Sequence, residues 1–351
     1  MASKAPRRRP RPARLSDARA SGRPDAGRSI AVTGAYGYLG RALIERLEAS
    51  PTVERVLALD LKPPPGALRK TRFLPVDLTR PRADQAMAEA FAAHEVDTLV
   101  HLALFYNPIH NASYAHEVEA IGTLQLLDAA TAAGLGAVAT ISTTALYGAH
   151  ADNPAYLTED RPLRPAAQSR FLADKLEVER HLQKFHAERP ETRIAVLRLA
   201  PMLGARVRNP ATRLLGRPLV PVLLGHDPLM QFLHEDDAVR ALLLAVERRA
   251  SGIYNVAPPG PLPLSSIIQL LGRAPLPLPT PVARAAMSAL WSLVGFGTAP
   301  SWLDYLRYPW VADGSKAERE LGLSYAHPCR EVVAEFGRGL AALSASAEGV
   351  A

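Results

Sequence analysis

Through the first two hundred residues, short apolar runs rich in β-branched residues alternate with longer runs whose apolar positions recur at helical spacing. Residues 29–34 (SIAVTG), 53–60 (VERVLALD), 72–76, 98–103, 137–142 and 193–199 read as strands. Residues 41–49, 81–94 (with an apolar stripe at Ala86, Ala90 and Phe91), 113–133 and 168–188 read as helices, the last two ending at Gly134 and before Pro190. Strands apolar throughout, separated by helices, predict an α/β fold with a doubly wound parallel sheet covered on both faces. Beyond Pro201 prolines become frequent and the strand spacing breaks, which predicts a smaller mixed C-terminal substrate lobe over 201–345. Residues 252–257 still read as a sheet strand and are expected to return to the first domain, 29–200.

Residues 282–298 (VARAAMSALWSLVGFGT) are the most apolar helical stretch. They fall short of the roughly 20 residues that span a bilayer, and Arg284 interrupts them. No transmembrane segment is expected. The stretch reads as a helix packed over a substrate pocket, or as a peripheral membrane contact admitting a hydrophobic substrate.

Charge changes the picture only at one end. The 351 residues include 41 Lys+Arg and 34 Asp+Glu, a net charge of +7. Residues 1–28 hold nine of the basic side chains and two of the acids, so the remainder carries 32 of each and is neutral. The excess therefore sits in a basic tail expected to be disordered, and no specific nucleic-acid partner follows. Arg7-Arg8-Arg9 lacks the apolar run an export signal needs, and the single cysteine, Cys329, allows no internal disulfide. A cytoplasmic location is the expectation.

The strongest chemical signal is Thr33-Gly34-Ala35-Tyr36-Gly37-Tyr38-Leu39-Gly40, between a strand and a helix. In that context Gly34 allows a tight turn, Gly37 lets the backbone approach a pyrophosphate, and Gly40 lets the helix lie close to the sheet. The helix N-terminus would hold the phosphates. Asp60 follows Gly40 by twenty residues at the end of the second strand. Its carboxylate suits the ribose hydroxyls and repels a 2′-phosphate, favouring NAD over NADP, while Lys62 softens that preference. Together these features make the sheet Rossmann-type.

The spacing Thr-Gly-x-x-Gly-x-x-Gly resembles the extended short-chain dehydrogenase/reductases, the NAD-dependent epimerase/dehydratase family, and further in-order matches carry the resemblance through most of residues 29–327. They include Asp77-Leu78, where the family contacts adenine, and His101-Leu102-Ala103, where strand four ends beside the cofactor. Ser142 to Gly148 resembles the active-site strand and turn, and Gln231 to Ala238 and Asp313 to Ala317 its C-terminal landmarks. The resemblance implies NAD as cofactor, with Gly34, Tyr36, Gly37, Tyr38, Leu39, Gly40, Asp60, Asp77, Leu78, Leu102, Ala103 and Lys175 around it. It also implies hydride transfer on a small alcohol, ketone or sugar, and a homodimer through helices 113–133 and 168–188.

In that family a Tyr-x-x-x-Lys pair moves the substrate proton, with a Ser or Thr orienting the substrate oxygen. The latter position is Thr143 and the lysine is Lys175, but the tyrosine position is Phe171. A ring without a hydroxyl forfeits general acid–base help worth about a hundred- to ten-thousandfold in rate, or roughly 3–5 kcal/mol. Glu119 stands where the family offers an asparagine, and Pro201 and Met230 stand where nucleotide-sugar enzymes place an asparagine and an arginine. Two readings follow. One is an active enzyme in which a water, Thr143 acting through Lys175, Tyr147, Tyr156 or Glu119 replaces the phenol. The other is a catalytically impaired NAD-binding sensor or scaffold. The histidines at 101, 110 and 116 lack converging ligands in the sequence, and no metal is expected.

Overall fold

The computed structural model describes residues 27–66, 68–204, 207–290, 292 and 300–348. Six strands, β1 (Arg28–Thr33), β2 (Val53–Asp60), β3 (Thr71–Pro75), β4 (Thr98–His101), β5 (Ala137–Thr143) and β6 (Arg193–Leu199), alternate with helices along the first two hundred residues. The helices are α1 (Tyr38–Ala49), α2 (Ala83–Ala93), α3 (Ala112–His116), α4 (Gly122–Ala132) and α5 (Arg170–Glu188). After them come α6 (Pro210–Leu215), β7 (Leu219–Leu223), β8 (Leu229–Met230), α7 (Glu235–Glu247) and β9 (Gly252–Val256). The chain continues through β10 (Leu262–Pro263), α8 (Leu264–Leu270), β11 (Ala274–Leu278), α9 (Thr280–Ala289), α10 (Ser315–Leu321) and α11 (Cys329–Glu348).

Seven strands form one wholly parallel sheet in the order β3-β2-β1-β4-β5-β6-β9. Its central strands are buried along nearly their whole length, as a sheet with helices on both faces requires. The order reverses between β1 and β4, which opens a crevice at the carboxyl ends of these strands, the place where doubly wound sheets bind ligands. β9 joins the sheet beside β6, so the chain returns to the first layer after building part of the second lobe. That lobe holds two small pairs, β7 parallel with β11 and β8 antiparallel with β10.

Two expectations shift. Arg28, assigned to the basic tail, is the first residue of β1, and its guanidinium donates to the carbonyls of Val246 and Glu247 at the end of α7. The rest of that tail, residues 1–26, lies outside the described residues. The helix expected over 113–133 is interrupted by a π-helical turn, Glu117–Ile121, between α3 and α4. The Thr123 hydroxyl donates to the Glu119 carbonyl across this turn. Such turns recur at functional sites, and this one carries a buried acid.

Behind β5 and β6 lies a buried charged network. Arg198 and Glu179, 2% and 1% exposed, meet at 2.6 Å (Nη2 to Oε2) and 3.0 Å (Nε to Oε1). Ser142 donates to Glu179, Arg198 donates to the Tyr147 hydroxyl at 2.8 Å, and Tyr147 donates to Asn255 Oδ1 at 2.8 Å. Asn255 Nδ2 in turn reaches the carbonyls of Leu157 and Asp313. The network therefore ties the sheet to the second lobe directly beneath the Ser142-Thr143 strand end.

Candidate functional site

The glycine turn is shaped by contacts that leave no room for side chains. Gly34 has φ +65°, and a Cβ there would lie 2.5 Å from the carbonyl of Leu102. A Cβ on Gly40 would lie 2.1 Å from the Gly34 carbonyl oxygen, so the third glycine relieves the turn itself. Thr33 Oγ1 accepts from the N–H groups of Leu102 and Ala103, locking β4 against the turn. Gly37 is the N-cap of α1 and no side chain caps that helix, so its N-terminus presents backbone N–H groups suited to an anion.

Asp60 ends β2 beside this turn, accepting the N–H of Tyr36 at 2.9 Å (Oδ2) and of Leu61 at 2.7 Å (Oδ1). A carboxylate accepts about four hydrogen bonds, so lone pairs remain for a diol. Arg41 and Lys62 lie 5.7 and 5.9 Å from the centre of the Tyr36 ring, placing two cations near the acid. Asp77 accepts the backbone N–H and hydroxyl of Thr79, bonds that hold its carboxyl below the usual range. Leu78 is buried next to it. Uncapped helix, glycine turn and strand-end acid lie at the same edge of the sheet, and these residues fit a dinucleotide.

His101 is a core residue. It is fully buried between the hydroxyls of Thr33 (Nδ1, 2.8 Å) and Thr123 (Nε2, 3.1 Å). Burial, then the charge of Lys175, pushes its pKa down to about 3 from 6.5. A depressed folded-state pKa gives stability that is complete above pH 6.5 and lost as pH falls toward 3, at up to about 1.4 kcal/mol per pH unit. Urea unfolding of His101→Gln between pH 7 and pH 4 is expected to lack this increment. A wild-type slope unchanged by the substitution would show that His101 is not its source.

Thr143, Phe171 and Lys175 meet at the floor of a cavity of about 610 Å³. Thr143 ends β5 and its hydroxyl oxygen accepts the Ala145 N–H at 3.2 Å. Phe171 and Lys175 lie one turn apart on α5, with Lys175 Nζ 5.3 Å from the centre of the Phe171 ring. The decisive contact comes from the π turn: Glu119 Oε1 lies 2.7 Å from Lys175 Nζ, and both side chains are buried. The same carboxylate oxygen accepts the Phe105 N–H at 2.6 Å, while Oε2 is buried without a partner. Burial pushes the Glu119 carboxyl above its ordinary pKa, opposed by the Lys175 charge and its hydrogen bond.

Other substitutes for the missing phenol do not reach the site. Tyr147 is buried among Arg198 and Asn255, and burial pushes its phenol up to about 12. Tyr156 is half exposed and outside the cavity. Glu119 lies behind Lys175 rather than in the cavity wall. Tyr106, which lies in no motif, lines the cavity after β4. Elsewhere His234 Nδ1 accepts the Asp236 N–H and caps α7, which leaves the proton on Nε2, 3.4 Å from Glu335. His327 packs on His234 with ring centres 4.0 Å apart, completing the His234–His327–Glu335 cluster.

Most of the remaining cavity wall is apolar. Met202, Val207, Leu214, Met230, Phe232 and Leu306 line it, and Pro201 and Met230 occupy the two positions at which polar groups were expected for nucleotide sugars. Arg208, Arg213 and Arg217 also line it.

The model of the NAD dependent epimerase/dehydratase family matches residues 30–257. An uncharacterized protein of Mycobacterium tuberculosis is 32% identical over 330 residues, covering 90% of this chain and 85% of its own. A 3-diazoavenalumate denitrifying reductase of Streptomyces sp is 28% identical over 275 residues, covering 75% of this chain and 87% of its own. Among solved structures, dTDP-glucose 4,6-dehydratase from Streptomyces venezuelae with NAD and TYD bound superposes with a TM-score of 0.67 at 22% identity. That match covers 91% of this chain and 98% of the other.

Proposed function

The chain belongs to the NAD dependent epimerase/dehydratase family, and on that premise we propose that it moves a hydride between NAD and the alcohol or ketone carbon of a predominantly apolar small molecule. One observation carries the reading: an apolar cavity of about 610 Å³ opens directly from Thr143 and Lys175. The α1 N-terminus holds the pyrophosphate, Asp60 the adenosine ribose, and Asp77, Leu78, Leu102 and Ala103 flank the remaining cofactor path. NAD supplies the hydride acceptor or donor. Thr143 orients the substrate oxygen, and Lys175 Nζ exchanges the proton with that oxygen. Glu119 holds the ammonium in place and balances its charge in a water-poor site, where an unpaired cation would be costly.

The test is NADH oxidation against a panel of apolar ketones and lipid extracts, with nucleotide sugars as comparison. Turnover confined to nucleotide sugars would refute the apolar reading. For the cofactor, Asp60→Ala is expected to weaken NADH binding about tenfold or more, the scale of a hydrogen bond to a charged group. Arg41 and Lys62 should then shift the preference toward NADPH, read as the ratio of the two dissociation constants.

A second reading, a cofactor-binding sensor without turnover, is favoured by Phe171 alone, and robust turnover of any substrate removes it. A homodimer through α4 and α5 is supported by the exposed Ile121 and Leu124 on that surface. Cys329 is buried, with its thiol pushed up to about 11 by burial, an unreactive state compatible with the cytoplasm.

A further inference from the structure

We propose that the surface built by β7, β11 and α9 docks on an anionic lipid bilayer and that the cavity is filled from it, an inference that rests on the apolar-substrate reading above. None of the described helices is long and apolar enough to cross a membrane, so the contact is peripheral. The 282–298 stretch is described as helix only over α9, its residues 291 and 293–298 lying outside the described residues.

One side of α9 faces inward. Ala283 is buried with Leu223 and Leu303, and Met287 packs on that cluster. The adjoining flank exposes Val282, Ala286, Ala289 and Leu290, spaced by four, three and one residues, with Leu290 seven residues on from Ala283 and so at the border of the inward side; Arg284 lies on the side away from this flank. On the neighbouring strand pair, Leu219 and Leu276 are exposed on the face that also carries Leu223 and Leu278, since Leu276 pairs with Pro221 and Leu278 with Leu223. Leu224 extends the exposure at the strand end. Leu219, Leu224 and Val282 are each more than half exposed.

This surface is continuous with the cavity. Ala286 and Leu290 are exposed and also line it, as does the exposed Arg213. Ala286 and Leu290 thus offer an apolar path from the outer flank to the inner wall, while Arg208, Arg213 and Arg217 add cations to the lining.

Charge selects the partner. Residues 207–226 and 256–290, which build this part of the lobe, contain Arg208, Arg213, Arg217, Arg273 and Arg284 and no Asp or Glu. Residues 29–351 as a whole carry 32 basic and 32 acidic side chains, so this region holds a local excess of positive charge. A second copy seated here would set an excess of arginines against itself, with only Asp227 and Asp304 adjoining among the described residues to answer them, whereas phosphate headgroups supply the missing anions and acyl chains take the leucines and valine.

The full chain is mixed with phosphatidylcholine vesicles, with and without about one-third phosphatidylglycerol, and sedimented. The expected result is partition onto the anionic vesicles that a Leu224→Asp/Val282→Asp double variant reduces about tenfold or more, while its NADH affinity is unchanged. The basic N-terminal segment is the same in both proteins, so the difference reports the face. Equal vesicle binding by variant and wild type would overturn the proposal. So would a wild-type dimer that the variant converts to monomer with vesicle binding intact, which would give the face to a second copy. Turnover of apolar ketones without vesicle binding would sink the docking face and leave the function reading standing. Vesicle binding lost in the variant, with no turnover of any apolar ketone, would do the reverse.

Discussion

Glu179→Leu is expected to destabilise the fold by about 3–5 kcal/mol, because it strands the Arg198 guanidinium in a site where only 2% of it reaches solvent. The same substitution removes the acceptor for Ser142. Arg198→Met is expected to cost a comparable amount by stranding the carboxylate and by taking the donor from Tyr147. The paired change, Glu179→Leu with Arg198→Met, should recover much of the loss, since replacing a buried pair with apolar groups of similar volume is often close to neutral. Urea denaturation of the four proteins closes the cycle. Additive losses would mean that the two charges do not depend on one another, against the 2.6 Å contact.

The second large effect is at Lys175. Lys175→Met is expected to lower turnover by about a hundred- to ten-thousandfold, the range of general acid–base catalysis. It also leaves Glu119 buried without its cation, so thermal stability should fall; Glu119→Gln, which keeps an acceptor for the Phe105 N–H, should fall less in stability. Phe171→Tyr separates the two readings of the site. If Lys175 already exchanges the proton, adding a phenol one turn away should change turnover less than tenfold. If the chain is a sensor lacking only the phenol, turnover should emerge where there was none. Steady-state kinetics on one identified substrate distinguishes these outcomes, and unchanged turnover in Lys175→Met would remove the lysine from the chemistry.

The parallel sheet was legible because strands buried on both faces must be apolar along their length, as 29–34 and 193–199 are. The glycine turn was legible because its spacing answers steric demands that only glycine meets at Gly34 and Gly40. Phe171 stood out because the lysine four residues on kept its place. What joins Glu119 to Lys175 was not legible: the two lie 56 residues apart, and their meeting depends on a π turn that helical periodicity does not encode. Tyr147 looked available as a base, but its partners come from β6 and β9 and hold it inside the network of Arg198. The cavity was legible as missing polar groups at Pro201 and Met230 and as the apolar stretch beginning at residue 282, whose Ala283, Ala286, Met287 and Leu290 line it. Much of the rest of its wall comes from segments spread over residues 201–310, where short proline-containing strands give no periodic signal.

The most direct test of the central claim is an equilibrium titration of the purified chain with NADH and NADPH, followed by nicotinamide fluorescence. Saturable NADH binding in the micromolar range, tighter than NADPH and weakened by Asp60→Ala, is the expected result. Absence of binding to either nucleotide would contradict it, and the oxidoreductase reading of Thr143, Lys175 and Glu119 would fall with the cofactor.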